Sequence, residues 1–269
     1  MTRVAVVQMR SSASIKENLD DVEKYLLQAR ESQVELVVLP ENFALMGRKE
    51  TDKLMIAEQF GEGEIQKILG QLAKNYNLWI IAGTLPIRAR NNKVWASSLV
   101  FDNTGCCAAR YDKIHLFDVR VSENESHQES VTTESGKELV VVDTPIGRVG
   151  LSVCYDLRFP ELYQKLLQKG AEIFSIPSAF TALTGAAHWD VLLRARAIEN
   201  LTYVLAPNQG GQHENGRQTY GHSMIVDPWG KVLACQNTGT GIVTAELDLH
   251  RLRQLRQQFP CNNHHVLIQ

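Results

Sequence analysis

A thiol, a carboxylate and an ammonium group follow three apolar segments of this 269-residue chain, and together they could open an amide bond. Cys154 follows Val149-Gly150-Leu151-Ser152-Val153, Glu41 follows Val38-Leu39-Pro40, and Lys113 follows a segment reaching Tyr111. In α/β folds, chemistry tends to lie beyond the carboxyl ends of strands. A free thiol has a pKa of about 8.5, so only a few per cent is thiolate at pH 7. Attack on an unactivated amide therefore needs a base to ionise the sulfur and donors to stabilise the developing oxyanion. Glutamate and lysine can fill both roles without a histidine.

Each residue has a plain reading too. A lone cysteine on an apolar strand is usually packing. A glutamate after a proline often only solvates a strand end, and a lysine usually lies on the surface. What sets Cys154 apart is the turn after it, Tyr155-Asp156-Leu157-Arg158-Phe159-Pro160-Glu161. It is too polar to prolong a strand, and Pro160 suits the first position of a helix. On such an elbow the thiol faces a cleft and the Tyr155 N–H can donate to an oxyanion. Spacing alone leaves open how far apart the three side chains lie.

The positioning elements read in sequence as follows. A strand runs through Gln8, and Ser14 with Glu17 forms a capping-box pattern for a helix bearing Leu19, Val22, Leu26 and Ala29 on one face. Val34 to Pro40 is a buried type of strand, Glu64 to Tyr76 a helix, and Leu78 to Ala82 a strand. Val94 to Phe101 and Cys106 to Tyr111 pair across Asp102-Asn103-Thr104-Gly105. The polar stretch from Ser122 to Gly136 reads as a surface loop. Strands follow at Leu139 to Val142, Arg148 to Val153, Glu172 to Ile176, Thr202 to Ala206, Gly221 to Val226, Lys231 to Ala234 and Gly241 to Glu246. Helices are expected at Pro160 to Gln168 and Ala186 to Glu199. Strands and helices in alternation, broken by hairpins, predict an α/β protein with mixed sheets. No repeat or linker divides residues 1–269, so one domain is expected.

Lys plus Arg number 28 and Asp plus Glu 30, a formal charge of −2 with 44% hydrophobic residues. That balance supplies no basic excess for nucleic acid or an anionic membrane, and favours a small, nearly neutral partner. Five cysteines without disulfide-like spacing, and no secretory leader pattern, fit a reduced cytoplasmic setting. No stretch approaches the ~18 apolar residues of a membrane-spanning helix. Zinc-type spacings are lacking, so neither metal nor cofactor is expected.

Three segments carry a family resemblance: Val37-Val38-Leu39-Pro40-Glu41-Asn42, Tyr111-Asp112-Lys113-Ile114-His115-Leu116-Phe117, and Val149 through Glu161. Together they resemble the nitrilase superfamily of carbon–nitrogen hydrolases, from about Val4 to Ala245. The resemblance implies a Glu-Lys-Cys triad on Glu41, Lys113 and Cys154. It also implies an α-β-β-α sandwich, with subunits pairing as a homodimer or higher oligomer around a four-layer core. A second active-site glutamate is implied in the loop before the cysteine. Glu129 is its counterpart, with Glu123, Glu125 and Glu134 as competitors and Ser135 where the family commonly has proline.

Ser178-Ala179-Phe180-Thr181, Thr184 to Trp189 and Leu193 to Asn200 are similar to a branch that cleaves amides of α-ketoglutarate. Gly216 to Gly230 is more similar to its members acting on deaminated glutathione than to ω-amidases. A keto-acid amide wants a charge-assisted carboxylate partner. Arg158 is the first choice, against a structural pair with Glu161, and Thr184 is a second contact. Lys113→Ala is expected to cripple turnover and leave the fold intact. The rival class is a binding or scaffold member that has kept the fold without activity. Cys106-Cys107 reads as packing, His264-His265 as a solvated tail, Arg194 and Arg196 as partners of Glu199, and Arg251, Arg253 and Arg256 as a small basic patch.

Overall fold

Alternation along the first strand decides the layering, since successive side chains of a strand point to opposite faces. Val4 and Val6 join a core shared with Val149, Leu151 and Phe174, whereas Ala5 and Val7 join one shared with Val22, Leu26 and Leu69. One apolar strand thus faces a second sheet on one side and helices on the other. The computed structural model describes residues 2–123, 125–264 and 266.

In chain order the elements are β1 (Thr2–Gln8), α1 (Ile15–Glu31), β2 (Leu36–Val38), α2 (Asp52–Met55), α3 (Glu64–Tyr76), β3 (Trp79–Arg88), β4 (Val94–Phe101) and β5 (Cys107–Asp112). A small hairpin follows, β6 (Asp118–Arg120) and β7 (Ser126–Gln128). Then come β8 (Val141–Thr144), β9 (Gly147–Leu151), α4 (Pro160–Gln168), β10 (Ile173–Ser175), α5 (Ala182–Asn200) and β11 (Tyr203–Ala206). The last stretch holds β12 (Gly210–Gln212), β13 (Gln218–Tyr220), β14 (Ser223–Val226), β15 (Val232–Gln236), β16 (Gly241–Leu247) and α6 (Leu249–Gln258).

The first sheet has the order β16-β1-β2-β3-β4-β5 and the second β15-β14-β11-β10-β9-β8. Each has three parallel central strands, β1-β2-β3 and β9-β10-β11, with antiparallel neighbours outside. The two halves share this plan without a visible sequence repeat. Helices α1 and α3 cover the outer face of the first sheet, and α4 and α5 that of the second. The result is an α-β-β-α sandwich with mixed sheets.

Several local expectations change. Ser14 caps α1 through Glu17 N–H at 3.4 Å, but the Glu17 carboxylate takes the Ser12 hydroxyl at 2.9 Å, so the capping box is half made. Strand β3 runs on to Arg88, because a register shift between Ala82 and Leu85 carries the chain past Gly83. Helix α5 starts four residues early, with the Thr181 hydroxyl accepting from Thr184 N–H at 3.3 Å. The presumed surface loop contains β7, and Thr132 and Thr133 within it are buried. The β12–β13 hairpin was not foreseen. Cys106 and Cys107 are exposed rather than packed.

The basic residues of α6 mostly bind protein: Arg253 pairs with Glu172 at 2.7 Å, and Arg256 donates to Leu201 O and Ala171 O. Arg196 pairs with Glu199 at 2.8 Å, but Arg194 pairs with Asp190 instead, one helical turn back. Of the histidine pair, His265 lies outside the described residues. Among the described residues, no helix is long and apolar enough to cross a membrane.

Candidate active site

Glu41 and Cys154 follow the parallel strands β2 and β9, whereas Lys113 follows the antiparallel edge strand β5. Glu41 leaves β2 after Pro40 and is fixed by backbone on both sides. Gln209 donates to its carbonyl at 3.0 Å, and the next N–H, of Asn42, donates to the Thr84 hydroxyl at 2.9 Å. Close approach makes this possible: a Cβ on Gly83 would lie 1.8 Å from Pro40 O, in a backbone conformation at φ +23°. Only glycine fits there.

Lys113 leaves β5 with its N–H on Ala96 O at 3.0 Å and its carbonyl taking Gly136 N–H at 2.8 Å. Ser135, where the family pattern has proline, donates its hydroxyl to Ile114 O and so pins the same strand exit.

Cys154 sits after β9 at φ +49°, a left-handed conformation that a non-glycine residue holds only when its surroundings enforce it. The enforcement is visible. Cys154 N–H donates to Pro177 O at 2.9 Å, and Asp156 folds back under the elbow to accept Val153 N–H at 2.8 Å. Asp156 also accepts the Tyr111 hydroxyl at 2.7 Å and His115 N–H at 3.0 Å, and shares a hydrogen bond with His115 Nδ1 at 2.7 Å. This wholly buried carboxylate ties the cysteine turn to the lysine strand. Nothing local to Asp156 in the sequence signals this role, because Tyr111 and His115 lie more than forty positions away.

The side chains converge. Lys113 Nζ lies 2.8 Å from Glu41 Oε1 and 2.9 Å from Glu129 Oε2, and it is 1% exposed. Glu129 is the loop glutamate that reaches the lysine; it also accepts Phe117 N–H at 2.7 Å. Of its competitors, Glu125 pairs with His127 at 3.0 Å and Glu123 is exposed. Glu134 offers its backbone N–H to Val94 O, outside the cleft lining. Removing Lys113 would leave two carboxylates facing each other in a buried site, which argues for a loss of stability alongside the loss of turnover.

The electrostatics are uneven. Burial works against the Lys113 ammonium, but Glu129 and Glu41 outweigh it and hold its pKa well above the ordinary value. Burial likewise works against the Glu129 carboxylate, which Lys113, Lys53 and the Phe117 N–H nevertheless pull below the usual range. Burial and the neighbouring Glu41 charge push the Cys154 thiol far up, against Lys113 and the Ala179 N–H. Both influences favour the protonated thiol, in keeping with the need for a base that the residue types suggested. A buried thiol beside a carboxylate can lose its proton to that carboxylate during attack, when the lysine is free to stabilise the new oxyanion.

Two hollows meet at Cys154. The wider, of about 660 Å³ to its open mouth, holds Glu41, Lys113, Glu129 and Cys154, with Asn42, Lys49, Lys53, Phe117 and Arg217 on its walls. The narrower, of about 210 Å³, is lined by Tyr155, Arg158, Phe180, Thr181, Thr184 and again Arg217. Tyr155 N–H has no hydrogen-bond partner among the described residues. Arg158 does not pair with Glu161; it lies over the Phe180 ring at 5.4 Å and contacts His188 Nδ1 at 3.2 Å. Thr184 sits in the first turn of α5, whose N-terminus carries partial positive charge. Arg217 and Lys53 were missed, because only the long-range packing of their segments brings them here. Among the described residues, no group of three or more His, Cys, Asp or Glu could hold a metal ion.

With this geometry in view, the likenesses to other proteins are informative. Residues 3–257 match the family model described as carbon-nitrogen hydrolase. A deaminated glutathione amidase of Yersinia enterocolitica is 42% identical over 268 residues, covering 98% of this chain and 93% of the relative. The crystal structure of the NitFhit protein of C. elegans superposes with a TM-score of 0.92 and 40% identity, over 98% of this chain but 65% of that longer one. Saccharomyces cerevisiae Nit3, a member of branch 10 of the nitrilase superfamily, gives a TM-score of 0.87 and 31% identity over 96% of this chain and 94% of its own. The chain belongs to the carbon–nitrogen hydrolase family of the nitrilase superfamily, and it is an amidase of that family.

Proposed function

We propose that the chain hydrolyses the amide of deaminated glutathione to α-ketoglutarate and cysteinylglycine, through a thioester on Cys154. One observation carries this reading: a thiol, a buried lysine and two carboxylates line a single cleft, next to a recess bearing an arginine with no carboxylate partner. The near-full-length likeness to deaminated glutathione amidases supports the substrate.

In the reaction Glu41 accepts the Sγ proton as the sulfur bonds to the amide carbon, so free thiolate need not accumulate. Lys113 and the Tyr155 N–H take up the charge forming on the carbonyl oxygen. The carbon–nitrogen bond then breaks while Glu41 passes its proton to the departing nitrogen, leaving amine and thioester. Water adds to the thioester, giving its proton to Glu41; collapse expels the sulfur, which regains the proton. Glu129 holds Lys113 in place. Arg158 and Thr184, at the N-terminus of α5, receive the keto-acid carboxylate.

Comparing kcat/KM for deaminated glutathione, α-ketoglutaramate and glutamine tests the substrate. Deaminated glutathione should lead, with cysteinylglycine released. Preference for α-ketoglutaramate would make the chain an ω-amidase. Absence of turnover and of any acyl adduct on Cys154 by intact mass would make it a binding member.

The whole chain acts as one catalytic unit in this reading, since both sheets contribute to the cleft. Subunits pair through α5, which is apolar on more than its buried face: Leu183, Val191 and Ile198 are exposed along one side, near exposed Trp229 and Phe259. Val191→Glu should lower the sedimentation-derived mass, and an unchanged monomer before and after would refute the pairing. The unpaired cysteines fit a cytoplasmic setting.

A further inference from the structure

We infer that Arg217 holds the carboxylate of the departing amine, so that the enzyme reads both ends of its substrate; this rests on the proposed substrate class and extends it to the leaving group. Arg217 stands at the turn of the β12–β13 hairpin and lines both hollows that meet at Cys154. Its Nη2 donates to Ala179 O at 2.6 Å, and its buried Nε has no acceptor among the described residues. A buried guanidinium donor left unpaired is destabilising, which leaves Nε open to an acceptor while Nη2 anchors the side chain.

Charge pairing in the wider hollow points the same way. Lys113 is shared by Glu41 and Glu129, an excess of one negative charge, and Lys53 is balanced by Glu50 at 3.0 Å. Lys49 on the same wall brings the lining to balance, three lysines against three glutamates, so Arg217 supplies the surplus positive charge that an anionic leaving group would meet. Arg217 has no ion pair among the described residues, and its planar fork matches a carboxylate. With the keto-acid carboxylate on Arg158 in the narrow recess, a peptide-like amine must lie in the wider hollow. Its terminal carboxylate then falls to Arg217, with the exposed Lys49 nearby.

The test uses two amides of α-ketoglutarate that differ in one group, the cysteinylglycine conjugate and its cysteinylglycinamide counterpart. Wild type should favour the acid by about 10- to 100-fold in kcat/KM, the range of a charge-assisted contact. Arg217→Gln should bring that ratio to about one, with Arg217→Lys in between. Equal turnover of both amides by wild type, or a ratio preserved in Arg217→Gln, overturns the inference while leaving the proposed substrate standing. If wild type cleaves α-ketoglutaramate but neither conjugate, the substrate reading and this inference fall together. Should Arg217→Gln not fold, the wild-type ratio and Arg217→Lys still decide.

Discussion

Two buried carboxylate clusters lie on either side of the same cysteine, and they differ in what is left open. Around Asp156 everything is closed: the Tyr111 hydroxyl, two N–H groups and His115 Nδ1 occupy the carboxylate, which has no exposed surface. Around Lys113 the pairing is just as tight, but Glu41, Glu129 and the ammonium line a cleft together with the thiol. Equal burial serves opposite ends. A fully satisfied acid fixes a backbone, here the strained Cys154 turn, whereas a shared cation open to a cleft can turn to a new charge. Opening onto the cleft, more than burial or pairing, separates the two clusters.

The sharpest way to break this contrast is at the lysine. Lys113→Met should lower kcat by about 10²- to 10³-fold or more and also destabilise the chain by about 3–5 kcal/mol, because two buried carboxylates lose their cation. Steady-state kinetics beside urea unfolding would show it, and a variant with near-wild-type kcat would remove Lys113 from the chemistry. Asp156→Ala comes next. It should reduce stability by about 3 kcal/mol by orphaning several donors, with activity falling in proportion to the loss of folded elbow. A stable but inactive Asp156→Ala would place that acid on the chemical side of the comparison.

The pH dependence sharpens the contrast further. The Glu129 carboxylate is depressed in the folded chain, so its contribution is full above the unfolded value near ~4.3 and is lost as pH falls through the lower folded value. Unfolding midpoints between pH 7 and 3 should therefore decline less in Glu129→Gln than in wild type; identical slopes would contradict the paired state. At the sulfur, the thiolate absorbance removed by Cys154→Ala should be absent at pH 7, since burial and the Glu41 charge push the thiol up. A clear thiolate difference at that pH would reverse the order of proton transfer proposed above. The smallest effect belongs to Tyr111→Phe, which deletes one of the donors to Asp156 and should cost about 1–2 kcal/mol in urea unfolding, with kcat nearly unchanged.

Much of the architecture was legible because it is written in short-range periodicity. The helix from Glu64 to Tyr76 and that from Pro160 to Gln168 lie where apolar spacing and Pro160 put them. Errors arose where neighbours overrode local cues. The strand expected at Leu78 to Ala82 stops short of Gly83, yet a bulge carries β3 through it to Arg88. The polar run after Ser122 reads as surface, yet it wraps back to bury Thr132 and Thr133 against Val94 at the start of β4. Arg158 was weighed against a pairing with Glu161 at helical spacing, and a ring from another segment took that place.

By itself, the sequence determined the alternating elements, the placement of Glu41, Lys113 and Cys154 after strands and the family motifs around them. Only the tertiary structure decided that Glu41 and Lys113, 72 positions apart, touch at 2.8 Å, which glutamate completes the pair, and that Arg217 reaches the same cleft. The reason is physical. Periodicity and turn chemistry act between residues a few positions apart, whereas the choice of an ion partner depends on which strand exits the packed sheets bring together. The same packing removes the water that would otherwise keep thiol, acid and ammonium apart.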